Sequence, residues 1–183
     1  MREEVLRILK KQAPVLFIVI IITALCFPLD EPVENIVKDY RNPQTVKVAE
    51  ALTVIGNVYY GIPALLGILF FVRRKDFGRT LLAVIMAMTA VFIIKEIVNR
   101  PRPVPAGKFD AYPSGHTAAS FSFFGVLSET TKTKLFLAVP FMIGASRIIL
   151  GRHYLSDVVM GAGIGVIMAM ASGDVLELIR SRA

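Results

Sequence analysis

Ser146-Arg147-Ile148-Ile149-Leu150-Gly151-Arg152-His153-Tyr154-Leu155-Ser156-Asp157 places two arginines, a histidine and an aspartate between two apolar runs, 135–150 and 155–171, that each read as a membrane helix. Ionisable groups at membrane depth are costly to keep, so their default reading is functional. His153 and Asp157 stand four residues apart and share a face where the chain is helical. A histidine held by a carboxylate and flanked by guanidinium groups points to attack on a phosphate.

Outward from this stretch, the 183 residues are enough for one domain, 1–183. The apolar fraction is 55%, and the apolar residues come in long runs between short charged segments. That layout predicts an all-α, polytopic membrane protein. The formal charge of +7 comes from basic residues clustered beside apolar runs, with no aromatic-interleaved basic face. These charges read as topology signals with anionic lipid head groups as secondary partners, and nucleic acid is set aside. Cys26 is the single cysteine, so no intramolecular disulfide forms, and inside an apolar run it reads as packing.

Six transmembrane helices are expected. The first, 13–27, follows Arg2, Arg7, Lys10 and Lys11, and lacks a cleavage site, so it is read as retained. Between Pro28 and Pro43 the helical spacing of Val33, Ile36, Val37 and Tyr40 suggests a short amphipathic helix on the membrane surface, with a solvated loop as the alternative. Residues 45–72 read as one long helix that Gly56, Gly61 and Pro63 could bend, followed by a basic turn at Arg73, Arg74, Lys75 and Arg79. A third helix spans 81–94. Pro101, Pro103, Pro105 and Pro113 then exclude a continuous helix. The fourth, 116–127, carries Thr117, Ser120 and Ser122 and reads as interior. In the sixth, Gly161, Gly163 and Gly165 allow close backbone approach to a neighbour. The basic clusters set both termini on the cytoplasmic side by the positive-inside rule. The loops around 95–116 and around His153 then share the extracytoplasmic face.

Three clusters on that face carry the chemistry. Lys95, Arg102 and Arg147 are three cations for the oxygens of a phosphoryl group, whose transfer depends on positioning and charge stabilisation. His153 is expected to be the nucleophile, with Asp157 on its other ring N–H. His116 is expected to act as general acid and then base. Ser114 and the Gly115 N–H precede a helix start, where unpaired donors favour an anion.

Lys95 to Pro103, with a lysine, six residues and then Arg-Pro; Pro113-Ser114-Gly115-His116; and Ser146-Arg147, five residues, His153, three residues and Asp157 together resemble the three motifs of the type 2 phosphatidic acid phosphatase (PAP2) family. The wider superfamily includes the vanadium haloperoxidases. The resemblance covers 95–157 in motifs and nearly the whole chain in helix plan. It implies a PAP2/haloperoxidase-like helical bundle acting as a metal-independent phosphohydrolase on a phosphorylated lipid, with no cofactor. Candidate substrates are polyprenyl diphosphates such as undecaprenyl diphosphate, phosphatidylglycerol phosphate and phosphatidic acid. Spacing favours Arg102 over Arg100 as the phosphate ligand, leaving Arg100 as a supporting or surface charge. Arg152 is expected to be a bystander, and Tyr112 an interfacial aromatic.

Bland readings stand beside these. Lys95 and Arg102 could snorkel to the interface, and His153 with Asp157 could be a structural polar pair. A divalent-metal cage is disfavoured by the cations around His116, His153 and Asp157, and a Ser114 hydrolase lacks its nucleophile elbow. A lipid phosphotransferase, or a non-enzymatic lipid-phosphate transporter or scramblase, stays open.

Overall fold

Small side chains decide which helix occupies the centre. The computed structural model describes residues 2–104 and 108–182; among them the chain forms eight α-helices and no strand. These are α1 (Arg2–Cys26), α2 (Asp30–Asp39), α3 (Pro43–Ile55), α4 (Gly61–Val72), α5 (Arg74–Val98), α6 (Gly115–Thr131), α7 (Ala138–Ile149) and α8 (Leu155–Arg180). Pro105 of the proline loop and the two terminal residues lie outside the described residues. α6 packs against α5, α7 and α8. Its Thr117, Ala118, Ala119, Ser120 and Ser122 are all buried, as an interior helix requires.

The glycines of α8 bring it onto that centre. A Cβ at Gly161 would stand 2.5 Å from the Ser114 carbonyl oxygen, and one at Gly165 would stand 2.5 Å from that of Ala118. Large apolar side chains face outward instead: Phe17, Leu25, Phe71, Ile97 and Leu135 are exposed, whereas Ser114, Arg147 and Asp157 are buried. That distribution suits a surrounding solvent that is itself apolar.

Among the described residues, three stretches are long and apolar enough to cross a membrane: Glu3–Asp39, Arg74–Val98 and Leu155–Arg180. The other expected spans are shorter, with 12 residues in α4, 17 in α6 and 12 in α7. At about 1.5 Å per residue these rise less than the roughly 30 Å of a hydrocarbon core.

Two expectations are corrected. Residues 45–72 are not one helix, because α3 ends at Ile55 and α4 begins at Gly61. The Asn57 side chain accepts from the amides of Tyr59 and Tyr60, giving the backbone a local alternative to the helical ladder. The break lets α3 lie on α7 while α4 packs on α5 and α6. The expected basic turn is also helical from Arg74 onward, with Asp76 in the first turn bonded to Arg73 at 2.6 Å. α5 is therefore longer than expected at both ends, and α8 runs on to Arg180. The amphipathic segment is helical, as α2, and its first residue, Asp30, is buried.

Charged pairs gather at one end of the bundle. Lys11 bonds Asp174 at 2.8 Å, Arg79 bonds Glu129 at 2.6 Å, and Arg182 bonds Glu4 at 2.5 Å. The last turns of α5 and α7 and the first turns of α6 and α8 meet at the other end, where the candidate residues lie.

Gly165→Ala should separate α6 from α8, costing about 1–3 kcal/mol of stability and lowering the thermal midpoint in detergent. Gly67→Ala, with nothing within 4 Å of the new Cβ, should leave the midpoint unchanged or raise it slightly. Equal midpoints for the two variants would contradict the packing described.

Candidate active site

The first turn of α8 is built around Asp157, which is fully buried. Its Oδ2 accepts from the Tyr154 N–H at 2.8 Å, closing the helix N-terminus as an acid in the first turn can. Its main-chain oxygen accepts from the Ser114 N–H at 2.9 Å, fixing the start of α6 against the start of α8. The loop that leads into α8 turns at Gly151, with φ +63°, a conformation that glycine adopts without strain. Gly151 O accepts from Val104 N at 2.8 Å, so the proline loop and the α7–α8 loop are joined. The sequence expectation that the two loops meet holds in the structure.

His153 sits at this junction, 2% exposed. Its Nδ1 lies 2.7 Å from the Ala111 carbonyl oxygen and 3.7 Å from Asp157 Oδ2. This corrects the expectation that Asp157 holds the ring N–H. The carbonyl is the hydrogen-bond acceptor here, because the carboxylate, which accepts from Tyr154 N and from Arg100 Nη1, the latter at 2.7 Å, stands beyond hydrogen-bond distance of the ring. The tautomer with the proton on Nδ1 leaves the lone pair on Nε2. Burial pushes the His153 imidazole down to about 4, with the positive charges of Arg147 and Lys95 acting the same way and Asp157 opposing them. The ring is neutral at neutral pH.

The cations arrive from separate elements. Lys95, in the last turn of α5, donates to the main-chain oxygen of Asp110, the residue before Ala111. Consecutive carbonyls thus hold the lysine and the histidine. Arg102 makes a two-pronged pair with Asp110, Nε to Oδ1 at 2.6 Å and Nη2 to Oδ2 at 2.7 Å. Burial alone would raise the Asp110 carboxyl, yet the adjoining Arg102 guanidinium holds it below the usual carboxylate range. Arg147 is buried near the end of α7; Nη1 donates to Thr53 Oγ1 at 2.7 Å, while Nε has no hydrogen-bond partner among the described residues. His116 stands in the first turn of α6, within the fields of Arg147, His153, Arg102 and Lys95.

Ser114 is buried, and its Oγ shares a 2.8 Å hydrogen bond with Thr117 Oγ1. With the Ser114 amide given to Asp157 O, the Gly115 N–H is the first donor of α6, without an acceptor inside the helix. The Ser114 hydroxyl is thus partnered with the first turn of the helix that it precedes. Arg152 lies close enough for its charge to act on Arg147. Tyr112 is buried with its ring 5.9 Å from that of Phe27.

Sequence reasoning missed Asp30, Thr53, Asp110 and the Ala111 carbonyl. Asp110 was open to notice as the acid eight residues after Arg102 in the same loop. Asp30 was hidden in an acidic surface-like segment, and the Ala111 contact is main-chain and carries no residue signal.

A family model described as the PAP2 superfamily matches residues 77–175. Phosphatidylglycerophosphatase B of Bacillus subtilis (strain 168) is 24% identical over 161 residues, covering 76% of this chain and 79% of that protein. Among solved structures, LpxE of Aquifex aeolicus superposes with a TM-score of 0.71 at 28% identity, covering 79% of this chain and 94% of that one. A transmembrane PAP2-type phosphatidylglycerolphosphate phosphatase from Bacillus subtilis superposes with a TM-score of 0.75 at 22% identity over 92% of this chain and 97% of that one. The chain belongs to the PAP2 superfamily and is a membrane lipid phosphatase of the phosphoric monoester hydrolase class.

Proposed function

We propose that the chain hydrolyses the phosphomonoester or diphosphate of a membrane lipid through a phosphohistidine on His153, without a metal ion. The observation that carries this reading is a neutral, buried histidine with its lone pair on Nε2 amid Lys95, Arg102 and Arg147, one of whose N–H groups, Arg147 Nε, lacks an acceptor among the described residues. A phosphoryl oxygen supplies that acceptor, and the Gly115 N–H at the start of α6 offers a second donor. Asp157 is engaged by Arg100 and Tyr154, so it is a poor candidate to ligate a cation.

In the first step Nε2 attacks phosphorus, the bond from phosphorus to the lipid oxygen breaks, and His116 gives the leaving oxygen its proton. In the second, His116 takes a proton from water, the water oxygen bonds phosphorus, and the nitrogen–phosphorus bond breaks. Phosphate leaves and both histidines return to their starting states. The three cations stabilise the charge on the transferring group throughout.

Phosphatidylglycerol phosphate heads the substrate candidates because two of the relatives are phosphatidylglycerophosphate phosphatases by name. Polyprenyl diphosphates and phosphatidic acid follow. The proposed topology has six spans, both termini cytoplasmic and the site at the extracytoplasmic face. It is supported by the gathering of Arg79, Lys11 and Arg182 at the end of the bundle away from His153.

Phosphate release from a panel of these lipids, measured with the purified protein, tests the reading. Activity should persist in EDTA, and His153→Ala should form no acid-labile phosphoenzyme. Strict dependence on added metal, or phosphoenzyme in the variant, would sink the mechanism. Transfer of the phosphoryl group to an added alcohol in preference to water would move the assignment to a phosphotransferase.

Asp110 competes with substrate for Arg102. Asp110→Asn should free the guanidinium and make vanadate about 3- to 10-fold more potent as an inhibitor, in line with the strength of a charge-assisted hydrogen bond. Unchanged vanadate inhibition would remove Arg102 from the phosphate site.

For topology, single cysteines placed at the exposed Lys108 and Lys75 in a Cys26→Ser background should behave oppositely. A membrane-impermeant thiol reagent added to intact cells should label the first and spare the second; the reverse pattern would invert the orientation.

A further inference from the structure

Asp30 is a buried carboxylate that the proposed steps do not use. It is 3% exposed, at the first position of α2, far in sequence from all three motifs. Its Oδ1 accepts from the Ser156 N–H at 2.8 Å, and its Oδ2 accepts from Ser156 Oγ at 2.5 Å and from Arg100 Nη2 at 2.8 Å. Through its other nitrogen, Arg100 donates to Asp157 Oδ1 and to Ser156 Oγ, each at 2.7 Å. The guanidinium is further confined between two rings, 5.0 Å from the centre of Phe27 and 4.3 Å from that of Tyr154.

We propose that Asp30 is a positioning residue for the His153–Asp157 pair, acting through Arg100. Asp30, Arg100 and Asp157 form a line of alternating charge with one net negative charge. That charge is available to stabilise the positive imidazole that forms as His153 bonds phosphorus. Arg100 alone would neutralise Asp157 and draw it away from the histidine. Asp30 takes one of the guanidinium's three hydrogen bonds and restores the charge behind Asp157. Ser156, bonded to both Asp30 and Arg100, fixes the distance between them. The inference rests on the reading of His153 as the nucleophile.

Charged or titratable groups reach His153 from each neighbouring element: Lys95 from α5, Asp110 from the loop, His116 from α6, Arg147 from α7 and Asp157 from α8. None of these changes in the test variants, so the Asp30–Arg100 pair can be varied against a constant background.

The experiment measures kcat, KM and the acid limb of the pH profile for full-length protein in detergent. The variants are Asp30→Asn, Arg100→Gln and the double variant. Loss of alignment by about 1 Å can cost about 100-fold in rate, so each single change should lower kcat by about 10- to 100-fold with KM within about twofold. The limb should move in opposite directions. Asp30→Asn leaves Arg100 neutralising Asp157, removes the net negative charge, disfavours the charged imidazole and shifts the limb to lower pH. Arg100→Gln leaves two carboxylates uncompensated and shifts it to higher pH, while the double variant returns toward the parent. A purely structural tie would reduce folded protein without these opposed shifts. An unmoved limb, or kcat preserved with KM raised, overturns the proposal. If Asp30→Asn does not accumulate, Arg100→Gln alone decides by the sign of its shift. His153→Ala is measured alongside. A variant that still forms phosphoenzyme removes the nucleophile reading itself, whereas an inactive one with unmoved limbs in the other variants removes only the role of Asp30.

Discussion

The constraint on which the structure depends is the keeping of the Asp157 carboxylate, buried, at the junction of four chain segments. An ionised carboxylate with no partner in such a place would cost several kcal/mol, and removing one member of a buried pair typically costs about 3–5 kcal/mol. The chain meets this by converging on it. The Tyr154 amide comes from the α8 start, the Arg100 guanidinium from the proline loop, and the Ser114 amide bonds the main-chain oxygen of the same residue. His153 is held beside it by the Ala111 carbonyl. The bonds that satisfy one buried charge therefore also set the relative positions of the elements that carry the chemistry.

Much of this was legible in the sequence because it rests on residue type and spacing. Ionisable residues amid apolar runs marked Lys95, Arg102, His116, Arg147, His153 and Asp157, and the structure brings them to one end of the bundle. The serines and threonines of α6 and the glycines of α8 marked the buried seam. What could not be read falls into two kinds. Main-chain contacts, such as Ala111 with His153 and Asp110 with Lys95, leave no trace in residue identity. Long-range polar partners, such as Asp30 with Arg100 and Thr53 with Arg147, depend on how α2 and α3 are laid against α8 and α7. The break at Asn57 lay between those cases. Its glycines were visible, but the side-chain capture of two amides that turns a bend into a break was not.

The outer segment from Phe27 to Asn42 has a larger part in the site than its composition suggests. Arg41 donates to the carbonyl oxygens of Ile148 and Ile149 at the end of α7 and pairs with Glu34. Ile148 O also accepts from the Gly151 N–H, and Arg41 adds a donor at a helix C-terminus where a cation favourably meets the negative end of the dipole. Asp30 and Arg41 thus attach α2 to the start of α8 and the end of α7 respectively, so both helix ends beside His153 are held from the same short segment.

The seam between α6 and α8 has a further consequence for how the site can move. Its contacts recur at steps of one helical turn: Asp157 on Ser114, Gly161 on the Ser114 carbonyl, and Gly165 on the Ala118 carbonyl. Between these steps α8 carries Met160, Ala162 and Ile164, while Gly163 faces Val19 of α1 and not α6. Sliding α8 along α6 by a residue or two would drive one of those side chains into a carbonyl before the next glycine arrived. The two helices behave as a ratchet with a single seated notch. Translation along the seam is opposed by these close approaches, which hold the axial spacing of Ser114 and Asp157.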